Sequence, residues 1–259
     1  MREFDAEYLR ETRRGMWDDS RAALSALELA SRSSILDVGC GEGALTRVLR
    51  EESPGEAVGC DRDGGLLAEL AGPTVRGDAY RLPFADACFD LVACQALLIN
   101  LSEPRRALEE FARVARDRVA CIEPDNDAVR IDSTVDAESR LAERARTRYL
   151  RGVDTDVALG ADAADLFREV GLSDVTTARY EQTLVVEPPY TERDVAAVGR
   201  MARGDGLRDR RPAMAGDEEA LDALRSAWRA MGRDAVSQLE RGEYRRTETV
   251  PFYVTAGAV

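Results

Sequence analysis

Along the first half of the chain, short runs of Val, Ile and Leu alternate with segments whose apolar residues recur every three to four positions. Runs of the first kind suit strands buried on both faces, and segments of the second suit helices with one apolar face. Their alternation predicts parallel strands joined by crossover helices. Strands are expected near residues 34–38, 57–61, 74–77, 89–94 and 118–123. Between them Leu45, Val48 and Leu49 mark one helix face. Leu108, Phe111, Ala112 and Ala115 mark another, which Ser102 can cap, with Pro104 tolerated in its first turn. Ahead of the first strand, residues 3–30 read as a helical stretch carrying Tyr8, Trp17, Leu24, Leu27 and Leu29, so residues 1–31 are expected to cover one side of the sheet.

Beyond the fifth strand the period is helical over 133–151, where Ala137, Leu141, Ala145 and Tyr149 recur every fourth position. A further helix over 162–170 ends at Gly171, a C-cap residue type. The segment DVTTARYEQTLVVE is β-like, a helical block follows from Thr191 to Gly242 with Leu221, Leu224, Trp228 and Met231 on one face, and RTETVPFYVTAGAV closes the chain as a strand. The expectation is one α/β domain over 1–259: a Rossmann-like, seven-stranded, mostly parallel sheet with helices on both faces. The N-terminal cover and a helical insertion at 190–245, before the last strand, complete it.

Charge and composition narrow the chemistry. The net charge is −13, and all 36 basic residues are Arg, because the chain has neither Lys nor His. Schiff-base chemistry, a Ser-His-Asp triad and histidine-ligated metals are thereby excluded, and no metal site is expected. The acidic balance disfavours nonspecific nucleic-acid binding, which rests on basic contacts to phosphate. It fits either a salt-adapted protein or a biased base composition. Cys40, Cys60, Cys88, Cys94 and Cys121 form no C-x-x-C pair and read as reduced thiols filling the core. No apolar run reaches membrane length, and the charged N-terminus lacks a signal core. A cytoplasmic protein, off the membrane and either monomeric or homodimeric, is expected.

The most informative stretch is SSILDVGCGEGALTRVL, residues 33–49, with Gly39, Gly41 and Gly43 between a predicted strand and a predicted helix. Such a turn brings backbone N–H groups close to a ligand at a helix N-terminus. GCGEGA also satisfies a relaxed dinucleotide pattern. Asp37 argues against that reading, since a carboxylate in the turn repels a pyrophosphate but tolerates a sulfonium and attracts an ammonium. Asp61 lies 20 residues beyond Gly41 at the end of the second strand, where an acidic side chain commonly takes ribose hydroxyls. Asp78, just past the third strand, could accept from an adenine amino group while Ala79 offers its N–H, and Gln95 ends the fourth strand. Each has a structural alternative: helix packing for the glycines, a strand-end turn for Asp61, an Asx turn for Asp78. Cys40 brings only its backbone near the ligand.

ILDVGCGEG, VGCDRD, GDAYRLPFADACFDLV, LSEPRRALEEFARVA and RVACIEPD, in that order over residues 33–124, resemble the class I S-adenosylmethionine-dependent methyltransferases, in particular the small-molecule group labelled methyltransferase type 11. The resemblance implies S-adenosylmethionine as cofactor and S-adenosylhomocysteine as product. It places Asp37 near the methionine end, Gly39 to Gly41 beneath the cofactor, Asp61 on the ribose and Asp78 with Ala79 at the adenine, with the stem of Arg62 available to pack on the adenine face.

Methyl transfer needs close in-line approach, and positioning with exclusion of water can supply much of the acceleration without acid or base groups. No catalytic residue is assigned. If a base is used, Glu123, Asp125 and Asp127 in CIEPDND are nearest by topology, against a solvated turn behind Pro124 as the alternative. Tyr8, Trp17 and Tyr149 are candidates for the acceptor pocket, against ordinary core packing. GLRDRRP, residues 206–212, offers three arginines to an anionic acceptor or is simply an exposed loop. CQALL at the end of the fourth strand lacks the Asn-Pro-Pro-aromatic signature of amide methylation. The expected partner is a small-molecule methyl acceptor with an O, N, S or C nucleophile. A noncatalytic S-adenosylmethionine-binding regulator, a dinucleotide oxidoreductase and an RNA-modifying enzyme are the competing readings.

Overall fold

The five apolar runs of the first half are strands in the computed structural model, which describes residue 17 and residues 21–259. They are β1 (Ser34–Val38), β2 (Glu56–Asp61), β3 (Thr74–Arg76), β4 (Phe89–Gln95) and β5 (Ala115–Pro124). β6 (Arg130–Ser133), β7 (Ser173–Val186) and β8 (Arg246–Ala258) follow. The helices are α1 (Ala44–Glu52), α2 (Gly64–Leu67), α3 (Pro104–Val114), α4 (Glu138–Gly152), α5 (Ala163–Glu169), α6 (Glu192–Arg203), α7 (Asp205–Arg210) and α8 (Glu218–Glu240). The chain divides into two units, one of Met1–Asp125, Leu159–Tyr180 and Phe252–Val259, the other of Asn126–Ala158 and Glu181–Pro251.

In the first unit the strands run in the order β3-β2-β1-β4-β5-β8, with β7 also paired to β8. β1 to β5 are parallel, and β8 runs antiparallel to β5. Side chains alternate between the faces of such a sheet. Leu36, Val38, Val92, Cys94, Val119 and Cys121 pack on one face with Leu108 and Phe111 of α3 and Phe167 of α5. Ile35, Leu91, Ala93, Ala120 and Ile122, all without exposed surface, occupy the other. Strands covered on both faces need no polar alternation, which is why they read as continuous apolar runs. At the amino ends Asp90 ties β1 to β4, accepting from the Ser33 N–H and hydroxyl at 2.7 Å each and from the Ser34 N–H at 3.1 Å.

In the second unit α4, α6, α7 and α8 share a core built on Leu141, Val198, Leu207, Leu221, Leu224, Met231 and Tyr244. The helical block begins where expected, because Thr191 forms a capping box with Asp194: the Thr191 N–H donates to Oδ2 at 2.9 Å and the Asp194 N–H to Thr191 Oγ1 at 3.2 Å. The expected insertion at 190–245 falls within this unit, which also takes in residues 126–158. β6 pairs antiparallel with the first residues of β8, Arg130 opposite Thr249 through Ser133 opposite Arg246. It raises the strands joined in the sheet to eight, one more than expected. With only four residues and the pattern RIDS, β6 offers no apolar run to read.

Three local expectations differ. The described part of the N-terminal cover is not α-helical: Arg21–Leu27 and Leu29–Ser31 are 3₁₀ turns, separated at Glu28, whose backbone is left-handed at φ 53°. Leu24, Leu27 and Leu29 are nonetheless buried. Ser102 does not cap α3, because Pro104 starts that helix directly and makes Glu103 the N-cap residue, without a side-chain bond. Residues 206–212 are not a loop but lie in α7 and the 3₁₀ turn Arg211–Ala213, with Leu207 buried. Gly171 does close α5, with φ 87° and bonds from Gly171 N–H to Arg168 C=O and from Leu172 N–H to Phe167 C=O, a Schellman arrangement.

Glu138 is the buried charge on which the second unit depends. It is 1% exposed, and its carboxylate accepts from Arg246 Nε at 2.7 Å, Ser133 Oγ at 2.6 Å and Tyr244 OH at 2.9 Å. Glu138→Ala leaves the guanidinium and the tyrosine hydroxyl facing a void, and is expected to cost about 3 kcal/mol or more in urea unfolding. Arg245→Ala, which removes the exposed pair with Glu187, is expected to cost less than about 1 kcal/mol. Equal costs for the two substitutions would contradict the assignment.

Candidate cofactor-binding site

Along the chain β1, β2 and β3 progress one way across the sheet, whereas β4 and β5 lie on the other side of β1. The order reverses between β1 and β4, and at such a switch point two diverging connections leave a crevice at the carboxyl ends of the strands. Val38 is level with Cys60 on β2 and with Cys94 on β4. One position further along, Gly39, Asp61 and Gln95 therefore sit side by side at the crevice floor.

The glycine loop is tied down by β2. The N–H groups of Gly39 and Cys40 both donate to the Cys60 C=O, at 2.7 and 3.1 Å, and the Gly41 N–H donates to Asp61 Oδ2 at 2.9 Å. Asp61 Oδ1 accepts from the Asp63 N–H at 2.9 Å. Gly39, Gly41 and Gly43 have φ of 69°, 56° and 84°, in the left-handed region that a Cβ disfavours. Packing adds a second reason at two of them. A Cβ on Gly39 would lie 2.8 Å from Leu97 Cδ1, and one on Gly43 would overlap the Leu70 side chain. The helix-packing alternative thus holds for part of the motif, alongside the shape it gives the loop.

Asp37 is 1% exposed and lies on the sheet face opposite Leu36 and Val38. Its Oδ2 accepts from Thr46 Oγ1 of α1 at 2.6 Å, so the helix that follows the loop holds this carboxylate in place. Asp78 is exposed and forms the Asx turn weighed above, its Oδ1 accepting from the Tyr80 N–H at 2.9 Å, and Ala79 is 7% exposed beside it. Arg62 is exposed, and its carbonyl accepts from Arg76 Nε at 2.9 Å. Gln95 is 2% exposed. Burial first, then the charges of Asp61, Asp37 and Asp78, push the Cys60 thiol up to about 12. Burial, Asp37 and Asp61 raise the Cys40 thiol as well. The field at the turn is negative, which suits a cationic sulfonium or ammonium and opposes a diphosphate.

The other candidates are engaged in contacts of their own. Glu123 is wholly buried at the end of β5 and accepts from the N–H groups of Leu97 at 3.1 Å, Leu98 at 2.8 Å and Ile99 at 3.5 Å, so it anchors the turn after β4. That turn begins at Ala96, left-handed at φ 48°, a conformation sustained by the Glu123 contacts and by the Ala96 N–H bond to Ile122 C=O at 2.8 Å. Asp125 is half-buried against Gly160, and Asp127 is exposed. Tyr149 belongs to the second unit's core, under the guanidinium of Arg210 at 5.9 Å. Trp17 is 6% exposed, with its ring 5.9 Å from that of Tyr180, which stacks on Phe252 at 5.6 Å. Tyr8 lies outside the described residues. Among the described residues no group of acidic and cysteine side chains is placed to hold a metal. Thr46, Tyr180 and Phe252 were not singled out from the sequence. Thr46 could have been found as a hydroxyl one turn into the helix that follows the glycines.

Two predictions follow from this packing. At about pH 8 a thiol reagent is expected to modify half-buried Cys88 in the native protein and to reach Cys40, Cys60, Cys94 and Cys121 only after denaturation, because burial keeps those four neutral and covered. Rapid native labelling of Cys60, read by peptide mass spectrometry, would contradict this. Gly43→Ala is expected to destabilise by about 2–4 kcal/mol, from the left-handed backbone and the overlap with Leu70 together. In a Leu70→Ala background the added cost is expected to fall to about 1–2 kcal/mol, the backbone part alone. An unchanged cost in that background would remove Leu70 from the explanation.

Comparison with known proteins agrees with this geometry. Residues 36–122 match a family model described as a methyltransferase domain. Demethylmenaquinone methyltransferase of Lactiplantibacillus plantarum is 35% identical over 119 residues, covering 40% of this chain and 50% of that protein. The protein of the same name from Mycobacterium tuberculosis H37Rv is 39% identical over 99 residues, covering 37% and 42%. The chain therefore spans about half the length, or less, of these curated relatives. The crystal structure of a SAM dependent methyltransferase from Archaeoglobus fulgidus aligns with a TM-score of 0.54 over 98% of this chain and 100% of that one, at 14% identity, and shares the fold. Over residues 36–122 the sheet order, the glycine loop and the family match agree: this part of the chain is similar to methyltransferase domains, and it shares the fold of the SAM dependent methyltransferase from Archaeoglobus fulgidus.

Proposed function

We propose that the chain transfers a methyl group from S-adenosylmethionine to a small-molecule acceptor. The observation that carries the reading is the Asp61 carboxylate, fixed by the Gly41 and Asp63 amides at the mouth of a negatively charged glycine turn. Bound there, S-adenosylmethionine would supply an electrophilic methyl carbon, which would take the nucleophilic electron pair of the acceptor as the carbon–sulfur bond breaks and its electrons stay on sulfur. The acid at the end of β2 suits two ribose hydroxyls, because each carboxylate oxygen keeps lone-pair capacity after its amide bond. Asp37, held by Thr46, lies where a charged methionine end is favoured. Asp78 and Ala79 form the rim for adenine, Arg62 is exposed next to it, and Gln95 floors the crevice beside Gly39.

The chain brings no Lys or His to the reaction, and Glu123 is committed to backbone amides. Acceleration on this reading comes from orientation and exclusion of water. The two curated relatives named above act, by their names, on demethylmenaquinone. That supports a carbocyclic, quinone-type acceptor as the finer proposal. No helix among the described residues is long and apolar enough to cross a membrane.

Titration calorimetry with S-adenosylhomocysteine tests the cofactor assignment. The native protein is expected to bind it and to bind NAD far more weakly. Asp61→Ala is expected to weaken S-adenosylhomocysteine by about tenfold or more, through loss of charge-assisted bonds to the ribose and loosening of the loop. Unchanged affinity in Asp61→Ala, or preference for NAD, would overturn the reading.

A further inference from the structure

The stack of Trp17, Tyr180 and Phe252 lies wholly in the first unit, on a part of the sheet that can be located by register. Phe252 on β8 is opposite Pro124 on β5, Val254 is opposite Ile122, and Ile122 is level with Gln95 on β4. Ala256 is opposite Ala120, which is level with Ala93, which is level with Asp37. Partners across a sheet share a face and alternate residues along a strand share a face. Phe252 therefore stands on the same face as Gln95 and Asp37, at the carboxyl end of β5. Two strand spacings and two residues of rise put its Cα about 12 Å from that of Gln95. Tyr180 faces it from β7: Thr177 touches Thr255 at 3.0 Å and Tyr180 stacks on Phe252, three residues forward on one strand for three back on the other, as in an antiparallel pair.

Two polar atoms of this stack are unusual. Trp17 Nε1 and the Tyr180 hydroxyl are both buried, and neither has a hydrogen-bond partner among the described residues. Leaving such atoms unpaired is costly, and native structures seldom do so without a ligand or water to meet them. Burial raises the Tyr180 hydroxyl well above the ordinary range, so it stays protonated and able to donate. Two donors on adjacent rings, with aromatic faces around them, are matched by a flat ring that carries an oxygen.

We infer that Trp17, Tyr180 and Phe252 form the acceptor subsite, an aromatic shelf that holds an uncharged, planar ring by stacking and receives its hydroxyl or carbonyl oxygen on Trp17 Nε1 and the Tyr180 hydroxyl. This rests on the methyltransferase reading and specifies the acceptor's chemistry at the same crevice. It selects against small aliphatic amines and phosphorylated acceptors, for which the stack offers no charge.

The test uses 2-naphthol as the probe, titrated by calorimetry into the full chain saturated with S-adenosylhomocysteine. One equivalent is expected to bind, and naphthalene, which lacks the hydroxyl, is expected to bind more weakly. Tyr180→Phe and Trp17→Phe keep a ring at each position and remove one donor. Each is expected to lower 2-naphthol affinity about fivefold while leaving S-adenosylhomocysteine affinity unchanged. Failure of 2-naphthol to bind the loaded protein, or equal binding by both variants and the native chain, would overturn the inference while leaving the cofactor reading intact. A parallel loss of both affinities would make the stack a structural support and overturn it too. If S-adenosylhomocysteine fails to bind the native protein, the cofactor reading falls and the inference with it.

Discussion

The bond from the Gly41 N–H to Asp61 Oδ2, beside those from the Gly39 and Cys40 N–H groups to the Cys60 C=O, joins two segments. One is the loop after β1, which three left-handed glycines allow to fold back over the strand ends. The other is the last residue of β2, which the parallel register with β1 places one step beyond Val38 and Cys60. Parallel sheets are found almost only with both faces covered, and Ile35, Leu36, Ala57 and Cys60 are buried here. The site is therefore a consequence of the sheet. Its carboxylate is oriented by backbone amides, and it stays oriented as long as the sheet keeps its order.

Electrostatics then decides what the crevice can hold. Asp37, Asp61 and Asp78 arrive from β1, from β2 and from the turn after β3. Burial first, and then all three of these carboxylates, push the Cys60 thiol up. A glycine turn of this shape with neutral or basic surroundings would suit a diphosphate. With these carboxylates it suits a ligand whose charge is positive and whose polar groups donate. On the far side of β1, Glu123 puts its own charge into the amides of the turn after β4 and holds Ala96 in a strained conformation. The crevice is thus bounded by two acidic anchors, one at the end of β2 and one at the end of β5, each serving backbone geometry first.

The parts legible in the sequence are those set by local rules. β1, β4 and β5 were readable because two-sided burial removes polar alternation, Thr191 because a capping box is a four-residue pattern, and Gly171 because a left-handed C-terminal turn selects glycine. The glycine loop and Asp61 were readable because their separation along the chain is fixed by one helix and one strand. What escaped depends on pairing across long separations or on competition between local options. β6 is four residues long and pairs with β8 more than a hundred residues further along the chain. Tyr180 and Phe252 come together through an antiparallel pair that no local signal announces. Ser102 lost its capping role because Pro104 starts the helix directly after Glu103. Glu123, one of three residues nearest by topology should a base be used, is wholly buried rather than in a solvated turn, and the three amides of the turn after β4 bond to it.

A crystal structure of the protein with S-adenosylhomocysteine is the most direct test. It is expected to place both ribose hydroxyls within hydrogen-bond distance of the Asp61 carboxylate, with the Gly41 bond to Oδ2 retained and the adenine beside Asp78 and Ala79. A ribose held elsewhere, or a glycine turn that opens and releases Asp61 when the ligand binds, would contradict the account.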